Sequence, residues 1–461
     1  MADATTTLSR PETDRAMSTR PSTRLRNIEL GLLVLALAVA AGAIVLVQLG
    51  ALGHIDLDVV KLAGGVGVLA LALHIVLRFT ARDADPFILP IAIAINGLGI
   101  AEIYRIDLSP TGVRNHLDNG TSQILWTAIG IGAAIVVLFL VRNHRMLQRY
   151  TYIAMLATIV LLLLPLVPGL RLHGAAAYVW VSVGPFNFQP GEIAKITLAI
   201  FFAGFLVARR DSLAMVGRRV LFIQLPRARD LGPILVVWVL ALGVIVGEHD
   251  LGTGLLLFGM FVAMLYVATG RTSWVVLGLL LAAGGAYAAV HILSYVQGRI
   301  TNWLYAFDGT RYDLPGGSFQ VVNGVFGLAH GGLFGTGLGQ GRPDITPAAN
   351  SDFIIASIGE ELGLVGVFAI LCLYLLFVSR GFRIGFSGPD DFGKLLAVGL
   401  AFVFALQVFI VVGGVMRVIP ETGLTTPFLA AGGSSLVANW MIAALLLRIS
   451  DTIRSGPRTV I

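Results

Sequence analysis

The sequence predicts an all-α, polytopic membrane protein. Hydrophobic residues make up 56% of the 461 residues, and Asp, Glu, Lys and Arg together make up only 13%. Soluble domains carry charge on about a quarter of their residues, so a mean hydropathy of +0.86 indicates more apolar surface than a water-soluble core can bury. This composition excludes a disordered chain and a nucleic-acid-binding module. The single Cys372 also excludes a disulfide scaffold.

Apolar segments of membrane-spanning length recur along the whole chain. A hydrocarbon core of about 30 Å needs roughly 20 apolar residues in a helix, and twelve segments meet or approach that length. The two on either side of 247–250 are short and are joined by barely a turn. The predicted spans are 28–49, 59–79, 86–104, 124–141, 150–167, 193–208, 231–246, 251–268, 273–296, 353–378, 395–415 and 424–447.

The placement of charge predicts the orientation of these spans. Residues 1–27 are polar and rich in Ser, Thr and Pro, and we interpret them as a disordered cytoplasmic tail. The apolar run that follows is too long for a signal-peptide core, so the first helix is predicted to remain uncleaved. With the N-terminus in the cytoplasm, most of the 32 Lys and Arg residues fall on the cytoplasmic side. Twelve crossings then make residues 451–461 a second cytoplasmic tail.

One long loop, 297–352, is predicted on the external face. Loops beyond about 15 residues are usually functional or disordered, and the many aromatic residues here predict an ordered segment. The Pro-Gly-Gly run after Asp313 predicts a tight turn, on which the carboxylate is either a general base or a solvated side chain. The glycine-rich run 331–341 lacks the Lys-Ser/Thr of a Walker-type site. We interpret it as a tight structural loop, with contact to a lipid diphosphate as the alternative.

Three charged sites fall in or against the apolar spans. Glu192 and Lys195 are three residues apart at the start of a helix, so they share one face and can pair. Asp250 lies between two short spans, and Glu360 and Glu361 lie inside the tenth. Charge at membrane depth costs roughly 2.5–3.5 kcal/mol on insertion scales and often marks a cavity or pathway. The alternative is a structural ion pair that closes the bundle.

Five ordered blocks of sequence resemble motifs of the shape, elongation, division and sporulation (SEDS) family. The blocks are Gln-Pro-Gly-Glu-Ile-Ala-Lys at 189–195, Asp-Leu-Gly-Thr at 250–253, Ser-Asp-Phe-Ile with Gly-Glu-Glu-Leu-Gly within 351–363, Pro-Glu-Thr-Gly at 420–423 and Gly-Gly-Ser-Ser at 432–435. The resemblance implies a ten-helix core at 80–450, to which 28–79 adds two N-terminal helices. A RodA-type member resembles the chain more than an FtsW-type member does.

The resemblance implies a peptidoglycan glycosyltransferase in the bacterial cytoplasmic membrane. Such an enzyme polymerises lipid II into β-1,4-linked glycan on the outer face, for cell elongation and shape or for septal division. Because an α-linked diphosphate becomes a β-linkage, the reaction inverts at C1 and needs one general base. Counting back from Gln320 places the family's catalytic aspartate on Asp313, and Asp308 is a rival because about four extra residues follow Arg299.

The resemblance also implies partners, and the chemistry suggests how substrate is held. The partners are lipid II and the nascent glycan strand, a class B penicillin-binding protein, and membrane proteins of the elongation or division machinery, with no nucleic acid. Weakly bound Mg²⁺ or Mn²⁺ could neutralise the departing diphosphate, while no permanent metal and no organic cofactor is predicted. A lipid II flippase and a silent scaffold are the competing functions. The predicted substrate and cavity residues are Glu192, Lys195, Asp250, Arg299, Arg311, Gln320, Asp352, Glu360, Glu361, Ser434 and Ser435.

Overall fold

Long apolar helices dominate the fold. The computed structural model describes residues 21–108, 119–170, 177–183, 186–213, 216–220, 223–226 and 231–455. In these residues, ten α-helices are long and apolar enough to cross a membrane. An eleventh span, His144–Leu166, is a 13-residue α-helix extended by 3-10 helices at both ends, and a further apolar helix has 17 residues. The prediction of an all-α polytopic membrane protein with about twelve spans is confirmed.

The helices and two small hairpins follow one another in chain order. The first nine helices are α1 (Pro21–Leu52), α2 (Leu57–Thr80), α3 (Ile88–Asp107), α4 (Asn119–Leu140), α5 (Thr151–Leu163), α6 (Pro190–Leu213), α7 (Gly232–Glu248), α8 (Leu251–Thr269) and α9 (Thr272–Ile292). The others are α10 (Ser294–Leu304), α11 (Gly309–Tyr312), α12 (Phe319–Gly331), α13 (Ile354–Ser387), α14 (Asp391–Val415) and α15 (Gly433–Arg454). The antiparallel hairpins pair β1 (Val181–Val183) with β2 (Phe186–Phe188), and β3 (Val216–Val220) with β4 (Ile223–Pro226).

Both ends of the described chain are more helical than predicted. Helix α1 begins at Pro21, so residues 21–27 are helical and do not belong to a disordered tail. Proline is tolerated there because the first amides of a helix lack partners anyway. Helix α15 continues to Arg454, beyond the predicted end of the core at 450. The remaining parts of the predicted tails, 1–20 and 456–461, lie outside the described residues.

The last span begins later than predicted. The sequence suggested a helix over 424–447, but α15 begins at Gly433. Gly423 and Phe428 have φ angles of 76° and 61°, values that a right-handed helix cannot contain. Residues 416–432 therefore form a loop over the end of the bundle.

The external loop is helical and begins earlier than predicted. The predicted span 273–296 is divided at Leu293, whose φ of −107° and ψ of 109° are extended, so that α9 and α10 are separate helices. Three helices, α10 to α12, then cover a little under half of the predicted loop 297–352. Its predicted order is thus explained by local helix formation.

One end of the bundle carries these three helices, and we call it the loop face. It consists of α10–α12 together with residues 332–353 and 416–432. The two loops touch directly, since the amide of Ala431 donates to the carbonyl of Asn350 at 2.8 Å. Helix α1 also ends here, because Gln340 Nε2 donates to the Gly50 carbonyl at 2.8 Å.

The two N-terminal helices are held by close packing and by a buried polar cluster. A Cβ built on Gly97 of α3 would overlap the Cβ of Ala40 of α1, so the helices approach closely. Glu29 of α1 is fully buried and pairs with Arg26 and His74, each at 2.6 Å. Because His74 lies on α2, the pair fixes α1 and α2 to each other.

The α1–α3 contact leads to a stability prediction. Gly97→Leu should lower the free energy of unfolding by about 1–3 kcal/mol, because the added side chain overpacks the contact with Ala40. Thermal unfolding of the purified protein in detergent measures the change. Gly42→Leu is the matched control, since a Cβ at Gly42 of α1 meets nothing within 4 Å. Equal melting temperatures for the two variants would contradict the packing argument.

Candidate functional site

A buried ion pair lies at the start of α6. Lys195 Nζ is 2.7 Å from Glu192 Oε2, and both side chains are at most 5% exposed. The ammonium also donates to Gln407 Oε1 of α14 at 2.8 Å, and Gln407 Nε2 donates to the Thr425 carbonyl at 2.8 Å. The pair predicted from the sequence therefore forms, and it connects α6 to α14 and to the loop 416–432.

The two predicted serines lie at the start of α15 and join this network. The Gln189 amide, just before α6, donates to Ser434 Oγ at 3.0 Å. Thr425 Oγ1 donates to Ser435 Oγ at 3.1 Å. Both serine side chains are buried. Ser434 therefore joins the start of α15 to the start of α6, and Ser435 joins α15 to the loop 416–432.

Asp250 lies beside α6 at the beginning of α8. Its Oδ1 accepts the Thr253 amide at 2.9 Å, which satisfies one of the unpaired amides at a helix start. The Thr253 side chain faces Gly191, whose Cβ position would lie 3.7 Å from it. Asp250 also interacts electrostatically with Arg299 and Glu192. The motifs at 189–195 and 250–253 thus converge, as the resemblance implied.

A second charged group surrounds Arg299 on α10. Its Nη1 donates to the Glu421 carbonyl at 3.0 Å, and Asp352 interacts with both Arg299 and Glu421. Burial, together with the negative charge of Glu421, raises the pKa of Asp352 to about 7. Burial likewise raises the pKa of Glu421. A cavity of about 30 Å³ here is lined by Arg299, Asn302, Trp303, Val321, Gly414, Ile419 and Glu421.

Two residues of these networks were absent from the predicted set. Gln407 is a lone amide inside an apolar span, a pattern that marks a buried polar partner. Glu421 is a carboxylate next to Pro420 and four residues after Arg417, and the next charged residue along the chain is Arg448. Both signals are visible in the sequence, but only the fold shows which charges they face.

The two rival aspartates of the loop differ in what their carboxylates do. Asp308 caps α11, accepting from the Thr310 amide at 3.0 Å and from Thr310 Oγ1 at 2.8 Å. These hydrogen bonds lower the pKa of Asp308. Asp313 follows α11 and is exposed, and among the described residues its carboxylate has no hydrogen-bond partner. The Asp313 carboxylate is therefore available to a ligand.

The Asp313 turn is attached to the helix that carries Arg299. Asn302 Nδ2 of α10 donates to the Gly316 carbonyl at 2.8 Å. Because Asn302 lies one helical turn after Arg299, the turn and the charged group share one rigid element. The predicted Arg311 is half-buried beside the turn, and its carbonyl accepts the amide of Ser318 at 3.1 Å. Gln320, in the first turn of α12, is also half-buried.

Glu360 and Glu361 are engaged by the glycine-rich run 331–341. Glu361 accepts from Arg105 Nε and from the Gly339 amide, both at 2.8 Å. Glu360 Oε1 accepts the Arg342 amide at 2.8 Å. His330 of α12 also lies 3.2 Å from Glu360 Oε1. In the described part of the chain the side-chain hydrogen bonds of the two carboxylates go to the loop, to α12 and to α3, and none joins the Glu192–Lys195 pair. The glycine-rich run is thus a tight loop folded around two carboxylates.

Candidate metal ligands are few among these residues. Within the ranges that the structure describes, no group of three His, Cys, Asp or Glu side chains could hold an ion. Asp352 and Glu421 provide two carboxylates, so substrate phosphate oxygens would have to supply most ligands of a bound Mg²⁺.

Comparisons with known proteins agree with the motifs. A family model described as a cell cycle protein, FtsW/RodA/SpoVE, matches residues 87–455. The peptidoglycan glycosyltransferase RodA of Mycobacterium tuberculosis is 44% identical over 446 residues, which are 96% of this chain and 94% of that protein. Stage V sporulation protein E of Bacillus subtilis is 33% identical over 332 residues, which are 71% of this chain and 86% of that protein.

Solved structures share the fold. The rod shape determining protein RodA of Thermus thermophilus has a TM-score of 0.53 at 23% identity and covers 80% of this chain and 96% of its own. A peptidoglycan synthase complex, described as coordinating polymerization and crosslinking, has a TM-score of 0.61 at 24% identity. It covers 80% of this chain and 97% of its own.

The buried Arg105–Glu361 pair should matter more to stability than an exposed pair. Glu361→Ala should lower the free energy of unfolding by about 3–5 kcal/mol, because Arg105 would remain buried without its counter-charge. Asp391→Ala is the matched control, since Asp391 pairs with Arg210 at the same kind of distance, 2.7 Å, but both are about half exposed. That exposed pair should contribute at most about 1 kcal/mol. Chemical unfolding in detergent measures both, and similar losses would contradict the structural role of Glu361.

The raised pKa of Asp352 predicts a pH dependence of stability. The folded protein binds this proton more tightly than the unfolded chain does, so the free energy of unfolding should fall between about pH 4 and pH 7 and level off above. Asp352→Asn should flatten that slope, as measured by melting temperature from about pH 5 to pH 8. Asp308→Asn is the control, because a carboxylate with a lowered pKa stays ionised across this interval. An unchanged slope in Asp352→Asn would refute the assignment.

Proposed function

Because the chain belongs to the FtsW/RodA/SpoVE family of cell cycle proteins, we propose that it is a peptidoglycan glycosyltransferase of the RodA type. In this proposal it polymerises lipid II into β-1,4-linked glycan strands for cell elongation and shape. The observation that carries the proposal is the exposed Asp313 carboxylate, held on an anchored turn at the same end of the bundle as the buried charged groups. The loop face is then the outer side of the bacterial cytoplasmic membrane, and both termini are cytoplasmic.

The reaction proceeds by a single displacement with Asp313 as the general base. The Asp313 carboxylate takes the proton from the 4-hydroxyl of the acceptor GlcNAc, and that oxygen attacks C1 of the lipid-linked MurNAc. The bond between C1 and the diphosphate oxygen breaks, and the configuration at C1 inverts. No covalent sugar–enzyme intermediate is needed. General-base assistance of this kind contributes about 10²–10⁴ in rate.

The charged groups at the loop face stabilise the leaving diphosphate. Arg299 is half-buried and directs one donor to the Glu421 carbonyl, which leaves other guanidinium donors for phosphate oxygens. Lys195 pairs with Glu192 and donates to Gln407, so its role in this proposal is to hold α6 and α14 in position and not to bind the diphosphate. Weakly bound Mg²⁺ or Mn²⁺, held by Asp352, Glu421 and the substrate, would neutralise further charge on the diphosphate.

An apolar groove suits the polyprenyl chain of the substrate. It has a volume of about 330 Å³ and lies between α5, α6, α7 and α8, with Phe201, Phe205 and Leu240 among its lining residues. The groove is open to the surroundings of the spanning helices, so a hydrocarbon chain can enter it from the bilayer.

A crosslinking partner is part of the proposal. The fold is shared with a complex that is described as coordinating polymerization and crosslinking, which supports a class B penicillin-binding protein as the transpeptidase that receives the new strand. Lipid II and the nascent glycan strand are the small-molecule and polymer partners. Membrane proteins of the elongation or division machinery complete the expected assembly.

The position of the buried charges favours an enzyme over a flippase. Glu192 lies in the first turn of α6 and Asp250 immediately before α8, so both are at helix ends. A carrier that moves a charged headgroup across the bilayer would use charges near the midplane. Because Glu192 and Lys195 are paired with each other, we assign them a structural role.

Asp313→Asn should reduce glycan polymerisation by about 10²–10⁴-fold, since an amide cannot accept the acceptor's proton. Purified protein in liposomes, with lipid II and the cognate transpeptidase, gives the rate by gel analysis of glycan strands. Asp308→Asn is the matched control, because its carboxylate caps α11 and is not proposed to touch substrate. The assay is run with and without divalent metal.

The outcomes of this assay separate the competing functions. Polymer from the wild type and from Asp308→Asn, with almost none from Asp313→Asn, supports the enzyme and its base. Full polymerisation by Asp313→Asn would falsify the assignment of the base. If no variant polymerises but the wild type moves lipid II across the bilayer, the flippase is the better proposal.

A further inference from the structure

Three aromatic rings in tilted contact lie near Arg299 and Asp250 at the loop face. The His249 ring packs between Tyr178 and Tyr295, with ring centroids 4.7 Å and 4.9 Å apart and planes tilted by 35° and 40°. All three residues are only half-buried, so the rings reach the surface of the bundle. We call Tyr178, His249 and Tyr295 the ring stack.

Backbone hydrogen bonds hold both ends of the ring stack in place. The Tyr178 amide donates to the Glu248 carbonyl at 2.8 Å, and the Tyr295 hydroxyl donates to the Ile245 carbonyl at 2.6 Å. The two tyrosines are therefore attached to the end of α7 from two different segments. A surface of fixed aromatic rings can bind a ligand without first losing conformational freedom.

The backbone at His249 is unfavourable for any residue with a side chain. Its φ of 57° and ψ of 32° are left-handed, a conformation that glycine adopts without cost and other L-residues rarely adopt. Residues held in such conformations concentrate at functional sites. The chain thus keeps an imidazole at a position where glycine would fold more easily.

Helix α10 aligns the ring stack with the proposed catalytic turn. Tyr295, Arg299 and Asn302 are spaced by four and three residues, so they lie on one face of the helix. Asn302 holds the Asp313 turn through the Gly316 carbonyl. Seven residues of helix rise by about 10 Å, a distance that a disaccharide can bridge.

We propose that the ring stack is a saccharide subsite, which binds a sugar ring of the lipid-linked disaccharide while Arg299 meets the diphosphate. This inference rests on the proposed function. One face of a pyranose is lined by C–H groups and packs against aromatic rings, whereas its hydroxyls need polar partners. In this proposal Glu248, the residue before His249, accepts a sugar hydroxyl: its Oε1 is buried and has no hydrogen-bond partner among the described residues. A buried acceptor without a donor is a group that a ligand hydroxyl can satisfy.

His249→Gly tests the subsite without endangering the fold. Glycine suits the left-handed backbone, so the melting temperature should stay the same or rise, whereas a purely structural ring would leave the protein less stable when removed. With full-length protein in liposomes, KM for lipid II should increase by about five- to tenfold, as expected for the loss of one aromatic contact, and kcat should change little. Tyr287→Leu is the matched control, because Tyr287 forms a similar pair with His291 on α9, at 4.3 Å, but is 70% exposed.

A binding comparison separates this inference from the proposed function. Asp313→Asn protein, with and without His249→Gly, is titrated with lipid II and with a polyprenyl diphosphate that lacks sugars. The subsite requires His249→Gly to weaken binding of lipid II by the same five- to tenfold and to leave the sugar-free diphosphate unchanged. Equal affinities of both proteins for lipid II, or equal losses for the two ligands, would overturn the subsite even if the wild type polymerises. If the wild type makes no polymer, this comparison still decides whether the ring stack recognises sugar.

Discussion

A buried ammonium organises the loop face of this protein. Lys195 is almost fully buried and would be costly in an apolar bundle without compensation. Glu192 supplies the opposite charge from the same helix, and Gln407 supplies a neutral acceptor from α14. Because Gln407 also binds the Thr425 carbonyl, satisfying one charge brings two helices and the loop 416–432 to fixed positions.

Helix α10 links the loop 416–432 to the turn that carries Asp313. The loop 416–432 offers the Glu421 carbonyl to Arg299, and Trp303 and Arg417 exchange hydrogen bonds with each other's carbonyls at 3.0 Å and 2.9 Å. The helix is thereby attached at several points along its length. Asn302 then fixes the Asp313 turn to α10 through its hydrogen bond to the Gly316 carbonyl. The backbone at Asp313 is therefore held in place, although the Asp313 side chain itself makes no hydrogen bond among the described residues.

Two carboxylates at the loop face, those of Glu361 and Asp352, differ in how fully they are hydrogen-bonded. Glu361 receives an arginine and backbone amides at once, and a carboxylate so fully hydrogen-bonded is a structural anchor with little capacity for a ligand. Asp352 instead lies among charges of both signs and has a pKa raised to about 7, so its carboxyl group can gain or lose a proton near neutral pH. The difference arises from the number of donors that each environment supplies.

The sequence by itself determined the membrane class, the twelve spans and the blocks that form the site. The thickness of the hydrocarbon core sets a minimum length for every span, and in the bilayer the backbone must satisfy its hydrogen bonds within the helix. A long apolar run in the sequence therefore predicts a membrane-spanning helix. The pairing of Glu192 with Lys195 also followed from spacing on one helix. The start of the last span could not be predicted from the sequence. The apolar residues before α15 belong to a loop in which Gly423 and Phe428 have left-handed backbones.

Only the tertiary structure decided which separated groups meet. Glu360 and Glu361 looked like membrane-embedded charges of a cavity, yet the glycine-rich run folds around them, because amides 18 and 22 residues away along the chain turn toward their carboxylates. Asp308 and Asp313 differ in a contact that motif spacing does not show, since Thr310 donates to the carboxylate of Asp308 and not to that of Asp313. The ring stack unites residues from three distant segments. Periodicity and motif spacing report neighbours along one helix, whereas contacts between distant segments depend on how the helices pack.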